Sequence, residues 1–136
     1  MNKFFQHMLW DTHALLVARV LMGGMFLLAG IDKLQNIDGI ALMIAGAGLP
    51  AAGLLAWLSG IFEVLAGAAI IVGYHFREAA VLLALFTLVV AFLFHTPTSW
   101  TESPIQKVFF MKDMAIFAGL LFMAAHGSGN TWKVRK

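Results

Sequence analysis

Arg19-Val20-Leu21-Met22-Gly23-Gly24-Met25-Phe26-Leu27-Leu28-Ala29-Gly30-Ile31-Asp32-Lys33 is the stretch that decides the fold. It is apolar on every side except along one line. Arg19, Gly23, Phe26, Gly30 and Lys33 recur at steps of 4, 3, 4 and 3, which places them on one face of a helix. A helix that is apolar all round is buried or lies in lipid. The surrounding composition decides for lipid. The chain has 136 residues, of which 61% are hydrophobic and 12% charged, with a mean hydropathy of +0.87. So short a chain has too much surface per volume to hide that much apolar area from water.

Four apolar stretches, this one included, match the thickness of a bilayer. Ala14 to Ile31 covers 18 residues with Arg19 inside, and Leu54 to Tyr74 covers 21 with Glu63 inside. Ala79 to Phe94 covers 16 with no charge, and Val108 to Ala125 covers 18 with Lys112 and Asp113. A transmembrane barrel needs alternating patterns and many more segments. The expected fold is therefore an all-α membrane protein, a single domain over residues 1–136. It is a four-transmembrane-helix bundle with helices about 14–34, 53–74, 78–95 and 107–126. Gly46, Gly48 and Pro50 break the chain before the second span, Tyr74–Glu78 forms a tight polar turn, and Thr96–Pro104 forms a proline-bounded loop. Arg19 inside the first span argues against a cleaved signal peptide. Asn36–Ala45 is apolar but too short to cross. It reads either as a short helix in the interface after the first span or as an apolar loop resting on lipid.

Charge asymmetry gives an expected orientation. Lys3, Arg77, Lys133, Arg135 and Lys136 fall on one side, against Lys33 and Lys107 on the other. The positive-inside rule puts both termini in the cytoplasm, with Trp10 and Trp132 at the inner interface and Trp100 at the outer one. The same scattered basic residues, with a net charge of only +2, form no stripe for nucleic acid.

Ionisable groups within a bilayer are expensive and face the bundle interior. Small residues accompany them: Ala56, Gly60, Glu63 and Gly67 on the second span, Ala84, Leu88, Ala91 and His95 on the third, and Lys112, Ile116, Gly119, Met123 and His126 on the fourth. Such stripes let helix backbones approach. Similar estimated height makes Glu63 and Lys112 the expected ion pair. That pair either fixes register or lines a polar pocket in which Glu63 exchanges a proton. Arg19 either joins the interior or snorkels to inner-leaflet phosphates. His95 is either an interfacial cap or a proton-carrying or carbonyl-binding group. The pocket candidates are thus Glu63, His95, Lys112, Asp113, Arg19 and Lys33.

Several chemistries are excluded. There is no cysteine, and hence no disulfide, thiolate metal site or iron–sulfur ligation. His95 stands at the opposite end from His7, His13, His75 and His126, so no bis-histidine haem forms. No HExxH, P-loop or GxGxxG motif is present, and no metal site is expected. The eight methionines are spread along the spans as packing residues.

The ordered series Arg19-x3-Gly23-x2-Phe26-x3-Gly30-x2-Lys33, Gly48-Leu49-Pro50, Glu63-x3-Gly67, Ala91-Phe92-Leu93-Phe94-His95, Phe110-Met111-Lys112-Asp113 and Gly127-Ser128-Gly129 resembles the DoxX family of small four-helix membrane proteins, in particular its proteobacterial inner-membrane branch. The resemblance runs from about Val17 to Gly129. Relatives often carry Asn where Asp113 stands here, which adds a negative charge inside the bundle. The resemblance implies a multi-pass protein of the bacterial inner membrane and a subunit of a redox-associated complex. Some members look like subunits of quinone-linked oxidoreductases, whereas others are membrane partners or chaperones. A quinone, held without a covalent bond, would lie against Phe26, Met111, Met114 and Phe117, with flavin, haem or metal supplied by a partner protein. The competing expectation is a non-enzymatic scaffold or accessory subunit that binds another membrane protein or a second copy of itself. A transporter ranks below both, because no inverted repeat is visible.

Overall fold

The computed structural model describes Lys3, residues 13–97 and residues 100–129. Trp10, Trp132, His7 and the basic residues Lys133, Arg135 and Lys136 lie outside them. Five helices follow in order: α1 Leu15–Leu34, α2 Ile37–Gly46, α3 Ala52–Val72, α4 Phe76–Phe94 and α5 Pro104–His126, with no strand among the described residues. Four are long and apolar enough to cross a bilayer, and they run up, down, up, down. The expected boundaries hold to within three residues. The ambiguous segment before Pro50 is a helix, α2.

Large apolar side chains cover the outside, with Leu21 69% exposed, Leu65 66% and Phe122 79%. In water this surface would be untenable; against acyl chains it costs nothing. The interior holds Phe26, Ala66, Ile70, Leu83, Ala84, Leu120 and Met123.

Glycine builds the tightest contact. A Cβ on Gly23 would fall 2.5 Å from the carbonyl oxygen of Gly67, and one on Gly30 would fall 2.8 Å from that of Gly60. Both distances are below any real Cβ contact, so α1 and α3 pack backbone against backbone as an antiparallel pair. All four buried residues of α1, namely Arg19, Gly23, Phe26 and Gly30, belong to the stripe read from the sequence. α4 and α5 form a second pair, joined to the first through α3, while α2 lies along α3. α1 and α5 never approach backbone to backbone; side chains such as Met22, whose tip reaches Gly119, span the gap.

Gly73 takes a left-handed conformation (φ 76°) and closes α3, the usual role of glycine after a helix. The turn delivers the chain straight into α4. One buried hydroxyl in α4, that of Thr87, donates to the Leu83 carbonyl at 2.8 Å, so no polar orphan is left there.

Candidate functional site

The intramembrane charges divide between the two ends of the bundle. At one end Arg19 is 1% exposed. It donates to the Ile71 carbonyl at 2.8 Å and to the Ser128 carbonyl at 3.2 Å. Ile71 lies in the last turn of α3, where carbonyls have no intrahelical donor. Arg19 thus caps α3 in trans and ties the Gly127–Gly129 loop to it. The expectation that it snorkels to phosphate is corrected: the guanidinium is buried on backbone oxygens. Arg19→Met is expected to lower stability by about 1.5–3 kcal/mol, read as a lower thermal midpoint in detergent.

At the other end Lys33, Glu63, His95 and Asp113 come together. Glu63, 2% exposed, forms an ion pair with Lys33. The expected partner, Lys112, points outward beside the Phe109 ring, 5.3 Å from its centre, and is exposed. Register explains the correction. Gly23 meets Gly67 and Gly30 meets Gly60, so Glu63 stands level with Leu27. Lys33 is about six residues further on, or roughly 9 Å at the helical rise. Side chains lean toward the N-terminus of their own helix. In an antiparallel pair, Lys33 on α1 leans down and Glu63 on α3 leans up, so the two close that gap.

On α5 the buried residues are Asp113, Leu120 and Met123, so the inward stripe passes through Asp113 rather than Lys112. Asp113 Oδ2 lies 3.8 Å from His95 Nε2. It is buried and, among the described residues, has no hydrogen-bond partner. Lys33 is also within Coulombic range of Asp113. His95 follows α4 directly and is held on several sides. Its Nδ1 meets Gln106 Oε1, its ring lies 5.3 Å from that of Phe109, and its carbonyl accepts from the Trp100 indole at 3.1 Å.

A cavity of about 500 Å3 opens beside this cluster. Ile40, Met43 and Ile44 of α2 cover it, Leu58, Ser59 and Phe62 of α3 form one wall, and Phe86, Val90 and Phe94 of α4 form the other. The Phe62 and Phe86 rings, 5.3 Å apart, join the two walls. Lys33, Ser59 and His95 are its polar lining groups, and Lys33 Nζ sits 5.0 Å from the centre of the Phe86 ring. None of the expected apolar lining residues takes part. Phe26 is in the core, Phe117 packs against that core, Met111 is 59% exposed on the outside, and no residue of α5, Met114 included, is in the lining. Of the residues that wall this cavity, Ser59, a lone hydroxyl in an apolar span, carries a signal in the sequence. Among the described residues, no group of three or more metal-ligating side chains forms.

The chain is 36% identical over 114 residues to the inner membrane protein YqjF of Escherichia coli, a match that covers 84% of each chain. It is 30% identical over 117 residues to the inner membrane protein YphA of the same organism, covering 85% of this chain and 84% of that one. No solved structure matches. Four apolar spans and these relatives make it a multi-pass protein of the inner membrane. The DoxX family profile matches residues 14–96, from the start of α1 to Thr96 just after α4, and the chain belongs to the DoxX family.

Proposed function

We propose that the cavity beneath α2 binds a quinone and that the protein serves as the quinone-holding membrane subunit of a redox-associated complex. The observation that carries this reading is an apolar, aromatic-walled cavity of about 500 Å3 with Lys33, Ser59 and His95 as its polar lining groups. Ligand sites of this kind have volumes of about 300–1,000 Å3 and few, convergent polar groups. The residues fit a flat apolar ring bearing two oxygens. Phe62 and Phe86 supply ring faces, and the Lys33 ammonium is a donor for one carbonyl. Ser59, whose hydroxyl donates to the Ala56 carbonyl at 3.0 Å, and His95, whose ring nitrogens face Gln106 and Asp113, are the other polar groups on the lining. When bound, a quinone supplies two-electron chemistry coupled to protons. His95, backed by Asp113, is the group at the cavity placed to hold or pass a proton. With Arg77 on the cytoplasmic side, as the positive-inside rule has it, the cavity belongs to the outer leaflet.

Solvent extraction of protein purified in mild detergent is expected to recover quinone, and a short-chain quinone is expected to raise the thermal midpoint. Leu58→Trp, which fills the cavity from its α3 wall, removes both effects. A preparation free of quinone whose midpoint ignores added quinone overturns the reading.

The ion pairing favours a second role, that of an accessory subunit. Arg19 is held by backbone carbonyls and Glu63 by Lys33, so these charges serve to join helices. In that role Glu63→Gln lowers folded yield, and crosslinking recovers a stoichiometric partner.

A further inference from the structure

We infer that the cleft between α1 and α5 is a retention site for an anionic phospholipid, distinct from the cavity beneath α2. The cleft is lined by Leu15, Ala18, Met22 and Met25 of α1 and by Ile116, Gly119, Met123 and His126 of α5, and holds about 610 Å3. It exists because these two helices stay apart at the backbone, and Gly119 deepens its floor beneath the tip of Met22.

Its shape and lining suit a flexible chain. The lining runs from Leu15 to Met25 on α1 and from Ile116 to His126 on α5, about 15 Å of rise, a groove along the bilayer normal in which an acyl chain can lie. Among the described residues its one ionisable lining side chain is His126, at one end.

The charge at that end selects the headgroup. Arg77 lies against the peptide that leaves α5: its guanidinium donates to the His126 carbonyl at 3.4 Å and would stand 3.1 Å from a Cβ on Gly127. Among the described residues this end of the bundle carries Arg19 and Arg77 against Glu78, with His13, His75 and His126 beside them. Exposed Arg77 at the mouth matches a phosphate at headgroup level with its chains in the cleft, the arrangement by which basic pockets between membrane helices hold anionic lipids.

The test is native mass spectrometry of the full chain in a neutral detergent, titrated with phosphatidylglycerol or with phosphatidylcholine of identical chains. Phosphatidylglycerol is expected to be retained about fivefold more tightly, the effect of one arginine near a headgroup. Arg77→Gln should erase that preference, and Gly119→Leu or Ala18→Leu should abolish retention of both lipids. Ala18→Leu, on the α1 wall, reads the cleft independently if Gly119→Leu folds poorly. Equal retention of the two lipids by the unaltered chain would overturn the inference. So would unchanged retention after either leucine substitution in folded protein.

Discussion

Gly67→Leu is expected to abolish the folded bundle or lower its stability by roughly 3 kcal/mol or more, the upper range for forcing bulk into a packed interface. A Cβ at Gly67 meets the Gly23 carbonyl oxygen at 2.7 Å and the Leu27 nitrogen at 2.7 Å. Both obstacles are backbone, so no rotamer change relieves them. α1 and α3 would have to separate, which loses the shared packing from Ala66 to Phe26 and moves Lys33 away from Glu63. Gly24→Ala is the matching control. It lies one residue from Gly23, has nothing within 4 Å of its added Cβ, and should gain about 0.5–1 kcal/mol from helix propensity. Thermal unfolding in detergent, followed by size-exclusion profile, separates the two. A normal midpoint for Gly67→Leu would mean that α1 and α3 do not meet in this register.

Gly23 and Gly30 also explain why so much of the fold was legible before any coordinates. Against lipid, hydropathy marks the length of a span but not its inward face, because both faces are apolar. Only small residues and charges mark that face. On α1 and α3 they coincide at Arg19, Gly23 and Gly30 and at Gly60, Glu63 and Gly67, and the inward faces are readable. On α5 the two charges are adjacent, at Lys112 and Asp113. A step of one residue turns about 100° around a helix, so a stripe drawn through Lys112 keeps Met123 but misses Asp113 and Leu120, the other buried residues of α5. The Lys33–Glu63 pair escapes the sequence for a different reason. Spacing along a span gives Cα heights, whereas antiparallel helices aim their side chains toward one another. Of the cavity only its polar groups leave a trace in the sequence, at Lys33, Ser59 and His95. Its enclosure depends on α2 folding back across the walls formed by Phe62 and Phe86, and no local pattern encodes that.

The Lys33–Glu63 pair also yields the experiment that separates holding the bundle together from holding a ligand. The Glu63 side chain is 3% exposed and that of Lys33 24%. Lys33→Met leaves a carboxylate in an apolar interior without its partner, and removing one member of a buried pair costs about 3–5 kcal/mol. Glu63→Met leaves the ammonium, which is the more exposed partner and can extend toward the headgroups, so its loss should be smaller. Lys33→Met combined with Glu63→Met removes both charges together. A well-packed apolar replacement of a buried pair is often neutral or stabilising, so the double variant should recover most of the thermal midpoint lost by Lys33→Met. Lys112→Met, on the outside of α5, should move the midpoint by less than about 1 kcal/mol, the scale of an exposed cation–π contact. The double variant then decides the role of Lys33. It lines the cavity, and a restored fold without the ammonium should still lose quinone-induced stabilisation. If stability returns and quinone still raises the midpoint as before, the pair is a structural tie alone and the carbonyl donor must be sought at Ser59 or His95. If the double variant stays as unstable as Lys33→Met, the two charges do not form the pair described here.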